Sequence, residues 1–408
     1  MIHVCFGLYD KNGTYSKFTG TTMASIFENT ITPPRLPSIT IYILHDNTLT
    51  LDNREKFSYL AGQYNQRVKF YNVEELCKDK LQKIFRLFPT SKNHYATVGM
   101  FYRYFISSVL PADLEKIIYL DSDIIVNFDL NELWKVNLGD KVLGAVPESS
   151  NGLETKEKFA LCHDNLVAPE NYFNSGVLLV NLEAFRNAEE KIFRAMKFIG
   201  ENPKYIFLDQ DVLNYCFAAQ ALKLPLKFNR FVIYARQARE SAALKKFWHF
   251  AGGGLGIDMR DPFNRLWMSH FMKTPWFDLE TVGRLYASFQ QIHVGLKNSM
   301  IQISAAVSGK TRAFFTTPEN VDALKKIFLV RDGEEILRDE NQSSLKKLID
   351  AMKKSRGKKI FFILVPNFPF QALTEAGFVH GRDFFNGFDF LSEAQGLPMN
   401  SHLIIRAM

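Results

Sequence analysis

The sequence predicts an α/β protein: a mixed, mainly parallel sheet with helices on both faces, followed by a small second α/β unit. Three observations carry this. Short apolar, β-branched runs alternate with helical periods over the first half of the chain. The same alternation restarts near residue 304. The chain has 408 residues and is 47% hydrophobic with 37 phenylalanines, enough apolar side chain for more than one core.

The elements follow in order. Residues 2–6 read as a first strand, and a polar, glycine-containing loop runs from 7 to 20. A helix is expected over 21–29, a β-branched strand over 38–44, a helix over 52–64 and a strand over 68–71. Residues 97–110 read as an apolar helix, and 116–120 as a buried strand running into Asp121. Further strands are expected at 142–147 and 176–180, with helices over 189–201 and 211–221. Residues 149–171 show no regular pattern and read as an active-site lid. Val282, Leu285, Tyr286, Phe289, Ile292 and Leu296 fall at helical spacing and predict a linking helix over 281–303. In the second unit, 311–315 and 359–365 read as strands and 318–326 and 343–354 as helices. This divides the chain into 1–280, 281–303 and 304–408.

The formal net charge of +7 fits a diphosphate ligand, an anionic acceptor or an anionic membrane surface, and equally a protein with no acidic partner. The four cysteines are scattered without paired spacing, which argues against a disulfide framework or zinc site and for a reducing cytosol. No basic stretch followed by an apolar core opens the chain, and no run reaches the length of a membrane span, so any membrane contact is expected to be peripheral.

The chemistry concentrates at Asp121-Ser122-Asp123, between Ile117-Ile118-Tyr119-Leu120 and Ile124-Ile125-Val126. Two carboxylates between apolar runs are costly unless compensated. A surface turn would solvate them. A strand tip would instead put them at the carboxyl edge of the sheet, where such folds bind ligands. Hard oxygen donors there suit Mn²⁺ or Mg²⁺.

Further blocks accompany this triplet in order. They are Phe6-Gly7-Leu8-Tyr9-Asp10-Lys11-Asn12, Phe101-Tyr102-Arg103-Tyr104, Tyr172-Phe173-Asn174-Ser175-Gly176, Leu208-Asp209-Gln210-Asp211 and Trp248-His249-Phe250-Ala251-Gly252. Together they resemble the family 8 glycosyltransferases, the glycogenin-like and lipopolysaccharide galactosyl- and glucosyltransferases, over residues 1–280. The resemblance implies a nucleotide-binding fold of the GT-A type. It implies retaining transfer of glucose or galactose from a UDP-sugar to a bacterial surface glycan or lipid-linked acceptor. A cytoplasmic location is expected, and any membrane contact would be at the inner face. No nucleic-acid partner is expected, and the oligomeric state is left open.

The resemblance also assigns roles. Asp121, Asp123 and His249 would hold the metal. Gly7, Asp10, Asn12, Arg103, Ser122, Asn174, Gly176 and Gly252 would bind the donor, with Asp10 and Asn12 on uracil and ribose and Arg103 on the phosphate or Asp121. Asp209, Gln210 and Asp211 would form the catalytic corner. A retaining hydrolase would show two carboxylates, one of them a nucleophile. The residue expected nearest the sugar is Gln210, a poor nucleophile, which favours front-face attack by the acceptor. The chain departs from the family after His249, where the usual Lys-Pro-Trp is replaced by Leu255-Gly256-Ile257. Arg260 or Lys273 would then have to supply the phosphate cation. A degenerate member that binds nucleotide sugar or glycan without turnover is the alternative. A nucleotidyltransferase would need a glycine-rich phosphate loop of recognised spacing, which residues 7–20 lack.

Overall fold

The structure is a computed structural model. It describes residues 1–33, 38–88, 98–252, 254–256, 258–280, 282–283, 307–318, 321–328, 330, 332–340, 343–365 and 368–387. By contact the chain divides into two compact units, one within 1–282 and one within 283–404. Apart from 282–283, the expected linking helix lies outside the described residues.

The first unit is built on a seven-stranded sheet in the order β3-β2-β1-β4-β7-β6-β8. Its strands are β1 (Ile2–Leu8), β2 (Ile39–His45), β3 (Arg67–Asn72), β4 (Lys116–Leu120), β6 (Leu143–Pro147), β7 (Phe173–Asn181) and β8 (Leu222–Lys223). β1 to β4 pair in parallel, and β7 runs antiparallel between β4 and β6. The sheet is therefore mixed and mainly parallel. β2 is buried at every position, as both-face coverage by helices requires. β6 runs the same way as β4, so both end on the edge that also holds the end of β1.

A second, three-stranded sheet sits beyond that edge in the order β5-β10-β9. Its strands are β5 (Ile124–Val126), β9 (Arg230–Phe231) and β10 (Phe247–His249). β5 and β10 pair antiparallel with His249 opposite Ile124, and Phe250 N donates to Asp123 O at 2.9 Å.

Several elements differ from the sequence expectation. The first helix, α1, starts at Ser16 and runs to Asn29, because Asp10 caps it from a distance. The Asp10 carboxylate accepts from Tyr15 N at 2.6 Å and Ser16 N at 3.2 Å, offsetting the unpaired amides at the helix start. The apolar segment before β4 is not one α-helix. It is a 3₁₀ stretch, Val98–Phe105, followed by a single α turn, Ile106–Val109. The 149–171 segment, expected to lack regular structure, carries short turns at Thr155–Lys158, Ala160–His163 and Pro169–Asn171. The helix expected over 211–221 runs from Leu208 to Phe217.

The second unit has a four-stranded, fully parallel sheet ordered β12-β11-β13-β14. Its strands are β11 (Thr311–Thr316), β12 (Glu335–Arg338), β13 (Lys359–Leu364) and β14 (Phe384–Asn386). Phe314, Phe362 and Phe385 stack in register on one face, with adjacent centroids 5.6 Å apart. Phe315, Phe361 and Phe384 belong to the core on the other face. Each unit thus has apolar cores of its own.

Candidate active site

The carboxyl edge of the large sheet opens into a cavity of about 520 Å³. Asp121 and Asp123 project into it from the loop between β4 and β5. α1 shapes that loop: Thr19 Oγ1 and Ser122 Oγ lie 2.7 Å apart, and Thr22 Oγ1 donates to Ser122 O at 2.8 Å. These bonds give the buried hydroxyls of Thr19 and Thr22 their partners.

Asp121, Asp123 and His249 each point one ligand atom into a common space, all within 4.8 Å of one another. His249 is brought there by the β5–β10 pairing and is 3% exposed. Its Nδ1 lies 2.9 Å from Asn229 Oδ1. Asn229 Nδ2 donates to Asn174 Oδ1 at 2.8 Å, and Gly176 N donates to the same oxygen at 2.9 Å. A backbone N–H cannot reverse, so it orients Asn174 and, through it, Asn229. His249 must then donate from Nδ1 and present Nε2, 3.2 Å from Asp123 Oδ1, to the cluster. Burial lowers the pKa of His249, but the charge and hydrogen bond of Asp123, with Asp121 behind it, leave it raised. Burial likewise raises Asp121, against the pull of Arg103.

Gly176 has a steric reason. A Cβ there would stand 2.5 Å from His249 Cε1 and 2.8 Å from Asp121 Oδ2, so only glycine lets the ligands converge. The donor set, two carboxylates and one oriented imidazole, fits Mn²⁺, and Mg²⁺ less well because of the nitrogen.

Arg103 joins this cluster to Asp209 at the start of the helix Leu208–Phe217. Its Nη2 lies 2.9 Å from Asp121 Oδ1, and its Nη1 lies 3.0 Å from Asp209 Oδ2 and 2.8 Å from Ser175 O. Nε donates to Met100 O, and the guanidinium stacks on Tyr119. Of the two expected partners, Arg103 takes Asp121. Gln210 is held on both ends of its amide. Oε1 accepts from Asn174 Nδ2 at 2.9 Å and Ser175 N at 3.1 Å, while Nε2 donates to Glu148 Oε1 at 3.1 Å.

Gly7, Asn12, Asn174, Asp209, Gln210 and Gly252 all line the cavity, and Gly252 holds a left-handed φ of 66° in the turn after His249. Two of the expected residues carry structural bonds of their own. Asp10 lines the cavity, and its carboxylate also accepts from the Tyr15 and Ser16 amides and from Asn53 Nδ2, so its side chain shapes the loop as well. Asp211 does not line the cavity among the described residues. It accepts from Tyr172 Oη at 2.7 Å and Phe207 N at 3.0 Å, and so fixes the start of the helix Leu208–Phe217. Burial pushes its carboxyl up to about 7.

Neither expected phosphate cation reaches the cavity. Lys273 pairs with Glu28, and Arg260 pairs with Asp258 at 2.8 Å. Lys11 does line it. Sequence reasoning also missed Glu148 and Asn229. Glu148 follows β6 on the same edge as Asp121, so the strand-edge rule was the available signal; Asn229 offered none.

A family model described as glycosyl transferase family 8 matches residues 6–273. The chain is 29% identical over 229 residues to the lipopolysaccharide 1,2-glucosyltransferase of Escherichia coli, covering 56% of this chain and 62% of that protein. It is 29% identical over 181 residues to the lipopolysaccharide 1,3-galactosyltransferase of Salmonella typhimurium, covering 44% and 50%. It therefore spans only 50–62% of the length of these curated relatives. Among solved structures it is similar to the galactosyltransferase LgtC in complex with donor and acceptor sugar analogs, with a TM-score of 0.52 at 21% identity over 69% of this chain and 99% of that one. The matched span contains both sheets of the first unit, apart from the start of β1, and every side chain of the metal-type cluster. The chain belongs to glycosyltransferase family 8 and has its GT-A fold.

Proposed function

We propose that the chain is a metal-dependent, retaining hexosyltransferase. It moves glucose or galactose from a UDP-sugar to a bacterial surface glycan or its lipid-linked precursor. The observation that carries this reading is the Asp121–Asp123–His249 cluster, tied through Arg103 to the Asp209–Gln210 corner of the same cavity.

Bound by Asp121, Asp123 and His249, Mn²⁺ would supply positive charge for the departing diphosphate. Gly7, Asn12 and the backbone of the loop around Asp10 receive the nucleoside. Lys11 and the turn at Gly252 face the phosphates. Asp209 holds sugar hydroxyls, with one of its oxygens already taken by Arg103 and Ser175. Gln210 cannot act as nucleophile, because both hydrogen-bonding directions of its carbonyl oxygen are filled. That supports front-face attack by the acceptor hydroxyl, whose proton passes to the leaving phosphate oxygen. A cytosolic site agrees with the four free cysteines.

Turnover of a UDP-sugar panel with Mn²⁺ tests this reading, scored as UDP release with and without glycan acceptors. At least one UDP-hexose should be consumed, and Asp123→Ala should lower the rate by about 100-fold or more. Full activity of Asp123→Ala would remove the metal assignment. UDP binding without turnover of any donor would favour the non-catalytic binder.

A further inference from the structure

Glu148 has no part in the reading above, yet it is one of the most enclosed carboxyl groups of the molecule, at 2% exposure. Its Oε1 accepts from Asn174 Nδ2 and Gln210 Nε2, both at 3.1 Å. Its Oε2 is buried with no hydrogen-bond partner among the described residues, and no cation among them lies within ion-pair distance. Burial pushes its carboxyl up, and the two amide donors oppose that shift. A buried carboxyl with an empty oxygen costs stability, and an apolar side chain would fill the same volume more cheaply. Packing therefore does not explain this residue.

The two amides it holds do. Gln210 Oε1 is pinned by the backbone N–H of Ser175, and Asn174 Oδ1 by the backbone N–H of Gly176. Each carboxamide is thereby forced to turn its NH₂ end inward, toward one shared point. A group at that point must accept two hydrogen bonds, and a carboxyl oxygen does so. Asn174 also reaches His249 through Asn229, so its orientation is shared by the sugar corner and the metal imidazole.

We propose that Glu148 is a positioning residue of the transfer site, which locks the carboxamides of Gln210 and Asn174 into the one orientation that serves donor and metal. This rests on the reading of the cavity as a UDP-sugar site. The role requires an acceptor atom at position 148, not a charge. Glutamine can supply the acceptor, whereas alanine strands two buried N–H groups.

The test compares the wild type with Glu148→Ala, Glu148→Gln, Gln210→Ala and the Glu148→Ala/Gln210→Ala pair, all in Mn²⁺. Glu148→Ala should lower kcat about tenfold or more, while KM for the UDP-sugar and Kd for UDP move less than about threefold. Glu148→Gln should restore most of that loss. The double variant should be no slower than Gln210→Ala alone, because Glu148 acts through that amide. Unchanged kcat in Glu148→Ala, no rescue by glutamine, or losses that multiply would each overturn the proposal. If the alanine variant does not fold, Glu148→Leu fills the volume without an acceptor and takes its place. The side-chain ¹⁵N resonances of Gln210 and Asn174 give a readout that needs no turnover. They should shift in Glu148→Ala and return in Glu148→Gln, and unmoved resonances would overturn the proposal. A wild type that consumes no UDP-sugar but shows these shifts would count against the functional reading alone.

Discussion

At the scale of single residues, the site was legible where chemistry is written in local spacing. Asp121 and Asp123 stand two apart at the end of an apolar run, and a strand tip must deliver both to one edge. Direction was not legible. Asp209 and Asp211 are equally placed in the sequence, but one faces the cavity and the other faces Tyr172 and Phe207, because they leave the helix at different angles. That difference has a measurable sign. With its carboxyl raised to about 7 from an ordinary 3.8, Asp211 binds a proton more tightly in the folded chain. Its contribution is complete below about pH 4 and is lost as pH rises through about 7, at no more than about 1.4 kcal/mol per pH unit. Asp211→Asn cannot titrate. Between pH 4 and 7 the melting midpoint of the wild type should therefore fall relative to that variant, and parallel curves would contradict the assignment.

At the scale of elements, strands were easier to read than what joins them. The β-branched run of β2 and the apolar run of β4 need no partner to be recognised. The start of α1 did need one. Asp10 caps it from six residues away, and Asn53 on α2 (Leu51–Gln63) holds the same carboxylate. Asn53 Oδ1 in turn accepts from Trp276 Nε1 at 2.8 Å, an arrangement no local pattern announces. The segment 98–109 carries a helical apolar period, but close approach of Gly99 to Tyr9 and of Gly7 to the Gly99 carbonyl goes with its tighter 3₁₀ winding. α1 also meets Trp276 at Gly20, where a Cβ would lie 2.3 Å from the indole ring. Gly20→Ala should therefore displace Trp276 and loosen the Asn53–Asp10 link. The expected cost is about 1–3 kcal/mol, read in denaturant unfolding, and a neutral effect would show that the indole moves freely.

At the scale of the whole molecule, the alternation of strand and helix was enough for the architecture. It could not show that β7 inserts antiparallel, or that β5, β9 and β10 leave the main sheet to form another, because both depend on pairings between distant segments. The metal-type cluster belongs to the first unit alone, while the second has its own two-faced core. Mn²⁺ should accordingly raise the melting midpoint of a fragment ending near residue 282 and leave a fragment beginning near 307 unmoved. A shift in the second fragment would place a metal site there.

The pairing of β5 with β10 also orders events in time. When the ribosome has released Asp121 and Asp123, the imidazole that completes their cluster is still 126 residues away from Asp123 along the chain, the difference between 249 and 123. Until β10 docks, the nascent chain offers only two carboxylates, a weak and unselective ligand pair. If the cluster holds a metal as proposed, its capture would come after the domain has closed on itself, and the ion would act as a seal on finished folding instead of a seed for it.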